Sequence, residues 1–138
     1  MPGLFVDTSG WGNILDRSQP YHQLATNLYR LARQNAQRIV TSNYILTELV
    51  ALLTSPLQLS RPSIVAFIQS LKQSPYIQIV HIDPELDGLA LQLLSDRIDK
   101  SWSLVDCSSF VLMERLKITE SLTNDRHFEQ AGFIRLLK

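Results

Sequence analysis

The sequence predicts a doubly wound α/β/α sandwich with a short central parallel sheet, built as a single domain over residues 1–138. Two observations predict it. Short apolar runs of β-prone residues, such as Leu4-Phe5-Val6 and Ile77-Gln78-Ile79-Val80, alternate with longer segments of helical periodicity. The first of these runs is continuously apolar, as in a strand covered on both faces by helices. Alternation of this kind implies parallel strands joined by right-handed crossovers. A composition of 45% hydrophobic and 19% charged residues is that of a globular domain. No internal repeat, low-complexity tract or linker interrupts it.

The elements follow in order. Leu4–Val6 is the first strand, and residues 8 to about 16 form a short helix weakened by Gly10 and Gly12. Ser18-Gln19-Pro20 breaks the chain and opens a second helix with Pro20 in its first turn and Leu24, Leu28 and Leu31 at helical spacing. Arg30, Arg33 and Arg38 lie on or near its polar side. Ile39-Val40-Thr41 is the next strand, and Ser42 or Asn43 caps a third, largely apolar helix. Glu48 is the only charged side chain between Arg38 and Arg61; it is either a functional carboxylate or a residue on the solvent face. Ser60-Arg61-Pro62 opens a fourth helix, and Ile77–Val80 is a strand.

Asp83-Pro84-Glu85 reads as a cap, a first-turn proline and a dipole-matched acid, which leaves Asp83, Glu85 and Asp87 to capping and surface roles. Leu86, Leu89, Ala90, Leu93 and Leu94 supply that helix's buried stripe. Ser103 caps the next helix, so Asp106 in its first turn is free for another purpose. Residues 118–122 form a strand closed by Thr123-Asn124-Asp125, followed by a short helix and a last strand over residues 133–136.

Acids and bases balance at 13 each, so net charge gives no argument for nucleic-acid binding. RNA handling would need a local patch or a bound metal. The lone Cys107 excludes an internal disulfide and a thiolate zinc cage. No apolar run approaches the roughly 20 residues of a membrane span, and the start of the chain lacks the pattern of a signal peptide. A cytoplasmic protein without membrane association is expected.

Four acids occupy comparable positions. Asp7 and Asp125 each end a strand, while Glu48 and Asp106 each sit early in a helix after an extended stretch. In a parallel sheet these points share the carboxyl edge, where open α/β sheets place ligands. Any one of these acids also has a structural reading, since an Asp after a strand often caps the next helix. Together they would repel unless divalent cations neutralised them. Oxygen donors without thiolates suit Mg²⁺ or Mn²⁺, and paired ions suit in-line attack on a phosphodiester. Thr8, Ser9, Thr123 and Asn124 can orient the carboxylates or their waters.

Phe5-Val6-Asp7-Thr8-Ser9, Thr47-Glu48, Leu104-Val105-Asp106-Cys107-Ser108 and the segment from Leu122 to Phe133 resemble the signature segments of the PIN domain, and within it the VapC-like toxins. The resemblance covers nearly the whole chain. Its most specific part is Thr123-x-Asp125-x-x-Phe128 with the trailing Ala131-Gly132-Phe133. The resemblance matches Asp7, Glu48, Asp106 and Asp125 to the family's acids. It implies a Mg²⁺- or Mn²⁺-dependent endoribonuclease that is usually a homodimer. It also implies a small antitoxin partner and structured RNA substrates such as transfer or ribosomal RNA. A housekeeping RNA-processing nuclease and a non-catalytic binding module are the alternatives. Haloacid-dehalogenase-type phosphatases and response-regulator receivers fit poorly, because Asp7 is followed by Thr8 and Ser9 rather than by a second acid at the required spacing.

Among the remaining candidates, Arg126 and His127 are possible RNA contacts, and Arg97 and Lys100 read as solvated surface. His22 and His81 have no partner at ligand spacing. Cys107, flanked by apolar residues, reads as a buried thiol. Trp11 and Trp102 read as core or dimer contacts, with base stacking open for Trp11 because of its proximity to Asp7.

Overall fold

The computed structural model describes residues 3–138. The element order is β1 (Leu4–Val6), α1 (Thr8–Leu15), α2 (His22–Gln34), β2 (Ile39–Ser42), α3 (Asn43–Thr54), α4 (Arg61–Gln73), β3 (Ile77–Val80), α5 (Pro84–Asp96), α6 (Leu104–Leu116), β4 (Glu120–Leu122), α7 (Arg126–Gln130) and β5 (Ile134–Arg135). The strands form one sheet in the order β3-β2-β1-β4-β5, and every neighbouring pair is parallel. The doubly wound sandwich expected from the alternation is the fold the chain adopts.

The strand order fixes where a site can form. From β1 the chain winds outward through β2 to β3, then returns across the sheet to place β4 against the other side of β1. Right-handed crossovers therefore put α1 to α4 on one face and α5 to α7 on the other. Between β1 and β4 the connections diverge to opposite faces and leave a crevice at the carboxyl ends of the strands. Among the described residues no helix is long and apolar enough to cross a membrane.

β1 is wholly buried and β2 likewise, so the sheet centre is core on both faces. An aromatic cluster fills the space between β1 and the second helical layer. Phe110 lies 5.0 Å from Phe128 and 5.0 Å from Trp102 by ring centroids, and Phe5 lies 6.3 Å from Phe128. Phe128 thereby anchors the five-residue α7 over the end of β4, a helix too short to stand on propensity alone.

Several local expectations change. α2 starts at His22, two residues after Pro20; the preceding turn is closed by bonds from Gln19 N to Asp16 O and from His22 N to Gln19 O. Its core-facing side carries Ala25 and Ala32, with Leu28 half-buried, while Leu24 and Leu31 are exposed. The small alanines let the helix backbone approach α1, which a leucine stripe would hold off. In α5, Leu89 is likewise exposed and the buried positions are Leu86 and Ala90. β4 is shorter than residues 118–122, because Ile118 N instead bonds Met113 O to close α6. Asp83, Glu85 and Asp87 hold the structural places expected of them: Asp83 caps α5, Glu85 pairs with Arg115, and Asp87 accepts from the Tyr44 hydroxyl.

Gly10 is required by packing rather than merely tolerated in α1. A Cβ there would stand 2.1 Å from the Leu122 carbonyl oxygen and 2.8 Å from Val6 Cγ1. Only glycine lets the first turn of α1 press against the end of β4. Gly10→Ala is expected to cost about 1–3 kcal/mol through forced separation of these backbones, lowering the melting temperature by several degrees in a thermal-unfolding measurement. Ala at Gly88, where a Cβ meets nothing within 4 Å, is the matched control and leaves melting unchanged or slightly raised.

Candidate active site

The crevice predicted by the strand order is an open cleft of about 850 Å³ whose lining includes Asp7, Glu48, Asp106 and Asp125. Each acid comes from a different junction. Asp7 ends β1 and caps α1, Glu48 is in the second turn of α3, Asp106 is in the first turn of α6, and Asp125 caps α7. Thr8, Ser9 and Asn124 line the same cleft, and Thr123 lies beneath it. All eight residues expected at the site line or underlie this cleft. The ligand atoms found within 4.8 Å of one another among the described residues, however, are those of Asp106, Asp125 and His127, not Asp7 or Glu48.

Asp7 is the deepest of the four, only 5% exposed. Its Oδ1 accepts from Gly10 N (2.9 Å) and from the Ser9 hydroxyl (2.8 Å), and its Oδ2 accepts from the Thr123 hydroxyl (2.7 Å). Both hydroxyls are themselves oriented by the loop after β4. Asn124 N donates to Ser9 Oγ at 3.0 Å, and Asp125 N donates to Thr123 Oγ1 at 3.0 Å. Two backbone N–H groups thus act through two hydroxyls on one carboxylate. That ties the β1 and β4 ends together and fixes how Asp7 faces the cleft.

The other acids are held by fewer bonds. Thr8 Oγ1 donates to Glu48 Oε1, joining the start of α1 to α3. Asp106 belongs to a capping box: Ser103 Oγ accepts from Asp106 N at 3.0 Å, and Asp106 Oδ2 accepts from Ser103 N at 3.1 Å. Ser103 is the cap, as expected, but Asp106 also takes part in capping, and one of its oxygens serves both the helix start and the cleft. Asp125 Oδ1 accepts from His127 N at 2.9 Å.

His127 sits among the acids rather than at an outer rim. Its Nδ1 is 2.9 Å from Asp106 Oδ2 and 3.5 Å from Asp125 Oδ1, and its Nε2 is 3.4 Å from Ser101 Oγ. One ligand atom each from Asp106, Asp125 and His127 can be chosen so that all lie within 4.8 Å of one another. Arg126 lines the cleft as well. Arg135 was not singled out from the sequence, since nothing about the isolated residue marks it. It enters because β5 lies beside β4, where its guanidinium holds the Asn124 carbonyl (3.0 Å) and stands 3.1 Å from Glu129.

The remaining candidates have structural roles. Trp11 is 1% exposed and donates to Thr41 Oγ1, which removes it from base stacking. Trp102 is buried and donates to Gln130 Oε1. His22 Nδ1 contacts the Asn13 carbonyl, Arg97 and Lys100 pair with Asp99, and His81 is exposed. Cys107 is fully buried, and burial pushes its thiol pKa up, so it is no nucleophile.

Among the described residues no lysine or arginine forms an ion pair with Asp7, Glu48, Asp106 or Asp125. Carboxylates gathered without such partners form a hard oxygen donor set, which fits a divalent cation such as Mg²⁺ or Mn²⁺. Burial, with a smaller push from Asp125, raises the Asp7 carboxyl from its ordinary 3.8 to about 7 despite its three donors. In the unfolded chain this group ionises near its ordinary value, whereas in the native protein it keeps its proton until near neutrality. The native state then binds more protons between those values, and stability falls as pH rises through that window. Asp7→Asn removes the loss. In EDTA the variant is expected to melt several degrees above wild type at pH 8, with a gain that shrinks toward pH 4. A pH-independent difference in melting temperature would contradict this.

The PIN domain family matches residues 4–134 of the chain. The chain is 27% identical over 131 residues to the 23S rRNA-specific endonuclease VapC20 of Mycobacterium tuberculosis, covering 95% of each chain. It superposes on the crystal structure of the same organism's VapC20, described as a sarcin-ricin-loop-cleaving toxin, with a TM-score of 0.85 at 25% identity. That match covers 99% of this chain and 100% of the other. FitAcB from Neisseria gonorrhoeae shares the fold at a TM-score of 0.67 and 18% identity, over 98% of this chain and 96% of that one. With the match spanning nearly every element and the carboxyl-edge cleft in place, the chain belongs to the PIN domain family.

Proposed function

We propose that this protein is a toxin endoribonuclease that hydrolyses phosphodiester bonds of a structured RNA, of the ribosomal or transfer type, with the help of Mg²⁺ or Mn²⁺. The observation that carries this reading is the gathering of Asp7, Glu48, Asp106 and Asp125, from four separate elements, around one open cleft with no lysine or arginine partner among the described residues. The likeness to a relative described as a 23S rRNA-specific endonuclease supports RNA as the substrate class.

The proposed division of labour follows from the contacts. Asp7, Glu48, Asp106 and Asp125 are the residues that would hold the cation, and His127 adds a nitrogen beside Asp106 and Asp125. A divalent ion bound there supplies charge neutralisation at the phosphate and activation of a water. Ser9, Thr123 and the backbone of residues 124–125 keep Asp7 aimed, so that no reorganisation is needed when the substrate arrives. Thr8 does the same for Glu48, and the capping box does so for Asp106. Arg126 is the cation placed to meet a substrate phosphate at the cleft.

The partners that accompany this reading are a small antitoxin whose basic or apolar segment enters the acidic cleft, and a second copy of the chain as a homodimer. Purified protein incubated with total RNA is expected to release discrete fragments with Mn²⁺ or Mg²⁺ and none with EDTA. Asp7→Asn and Asp106→Asn are each expected to reduce cleavage at least about 100-fold while the fold is retained. Wild-type rates in either variant overturn the assignment. Independently of activity, Mn²⁺ at about 100 times its Kd should stabilise the native state by about 2.7 kcal/mol. That appears as a rise in melting temperature which Asp106→Asn diminishes.

A further inference from the structure

Charge is unevenly distributed along the chain in a way the neutral total conceals. Residues 17–47 carry four arginines and no aspartate or glutamate. Arg30 and Arg33 lie in the last turns of α2, and Arg38 immediately precedes β2. Tyr76 immediately precedes β3. All four therefore stand at the amino edge of the sheet, opposite the carboxyl edge that carries the acidic cleft. Among the described residues none of these arginines forms an ion pair with a carboxylate.

Two hollows meet there. One of about 430 Å³ is lined by Thr26, Tyr29, Arg30, Arg33, Gln34 and Tyr76, and one of about 350 Å³ includes Arg33, Arg38 and Tyr76. Among the described residues no carboxylate lines either. Arg33 and Tyr76 form the ridge between them. The guanidinium lies 4.1 Å from the centroid of the Tyr76 ring and 5.9 Å from that of Tyr29. Tyr76 is nevertheless 53% exposed, and the Thr26 hydroxyl is buried without a hydrogen-bond partner. Arginines without carboxylate partners beside a half-exposed ring combine phosphate attraction with a stacking surface.

We infer that this arginine–tyrosine groove binds a single-stranded segment of the RNA whose scissile bond lies in the acidic cleft. The inference rests on the nuclease reading and supplies what that reading lacks. An acidic cleft gains little from electrostatic attraction to RNA, so affinity must come from cations placed elsewhere on the surface. With the two sites on opposite edges of the sheet, a folded RNA reaches both and a short oligonucleotide reaches only one. Selection for a structured substrate follows from that spacing.

The test is fluorescence anisotropy with a labelled RNA hairpin bearing a single-stranded tail, with EDTA present so that the RNA stays intact. Arg30→Gln/Arg33→Gln is expected to raise Kd about fivefold and to flatten the dependence of log K on log salt by about 1.4, two phosphate contacts' worth on single-stranded RNA. Tyr76→Ala is expected to raise Kd about tenfold with the salt dependence unchanged, as for loss of a stacked base. Metal-dependent cleavage of a pentanucleotide by both variants should stay within about twofold of wild type, which also shows that they are folded. Wild-type Kd and salt dependence in both variants, with wild type binding the hairpin, overturn the inference and leave the nuclease reading standing. That outcome includes arginines that serve an acidic protein partner instead. A wild-type protein that neither binds nor cuts RNA overturns both.

Discussion

The close approach of β1 and β4 at their carboxyl ends is the constraint on which the rest of the molecule depends. Gly10 allows the start of α1 to lie against the Leu122 carbonyl, a contact that no side chain would permit. Across that seam Ser9 and Thr123 each donate to Asp7 and each accept a backbone N–H from the loop after β4. The seam is therefore both a packing joint and the frame of the site. It brings Asp7 within the influence of Asp125, and it buries a carboxyl that burial drives toward neutrality. The price in stability is local, and the aromatic cluster around Phe110 and Phe128 offsets it by anchoring α7 from below.

Function in such an arrangement comes from connectivity more than from any single motif. Parallel strands deliver every strand end to one edge, and the reversal of winding between β1 and β4 opens a crevice there. Acids that are far apart in sequence meet because each follows an extended segment. The opposite edge collects the starts of β2 and β3 with Arg38 and Tyr76. Acidic and basic groups are thus separated by the length of the strands within a chain whose formal charge is zero.

The strand runs, their alternation with helices and the placement of the acids were legible in the sequence, because burial on both faces leaves a continuous apolar signature. Helix faces were less so. The leucines of α2 at positions 24 and 31 look like a core stripe but are exposed, since Ala25 and Ala32 give the closer fit. The second role of Asp106 in the capping box was also missed: finding Ser103 as the cap hid the reciprocal bond. His127 two residues past Asp125 gave no sign that its ring would reach Asp106, a contact created by α7 lying across the start of α6. Arg135 was invisible for the same reason, as its neighbours depend on β5 pairing with β4.

The central claim is that these convergent carboxylates form a site for divalent cations. The most direct measurement is anomalous diffraction from crystals of the protein soaked in Mn²⁺. Peaks within coordination distance of the Asp7, Asp106 and Asp125 carboxylates, lost in Asp106→Asn, are the expected result. Mn²⁺ bound only at other surfaces, or a cleft that stays free of metal at millimolar Mn²⁺, would contradict it.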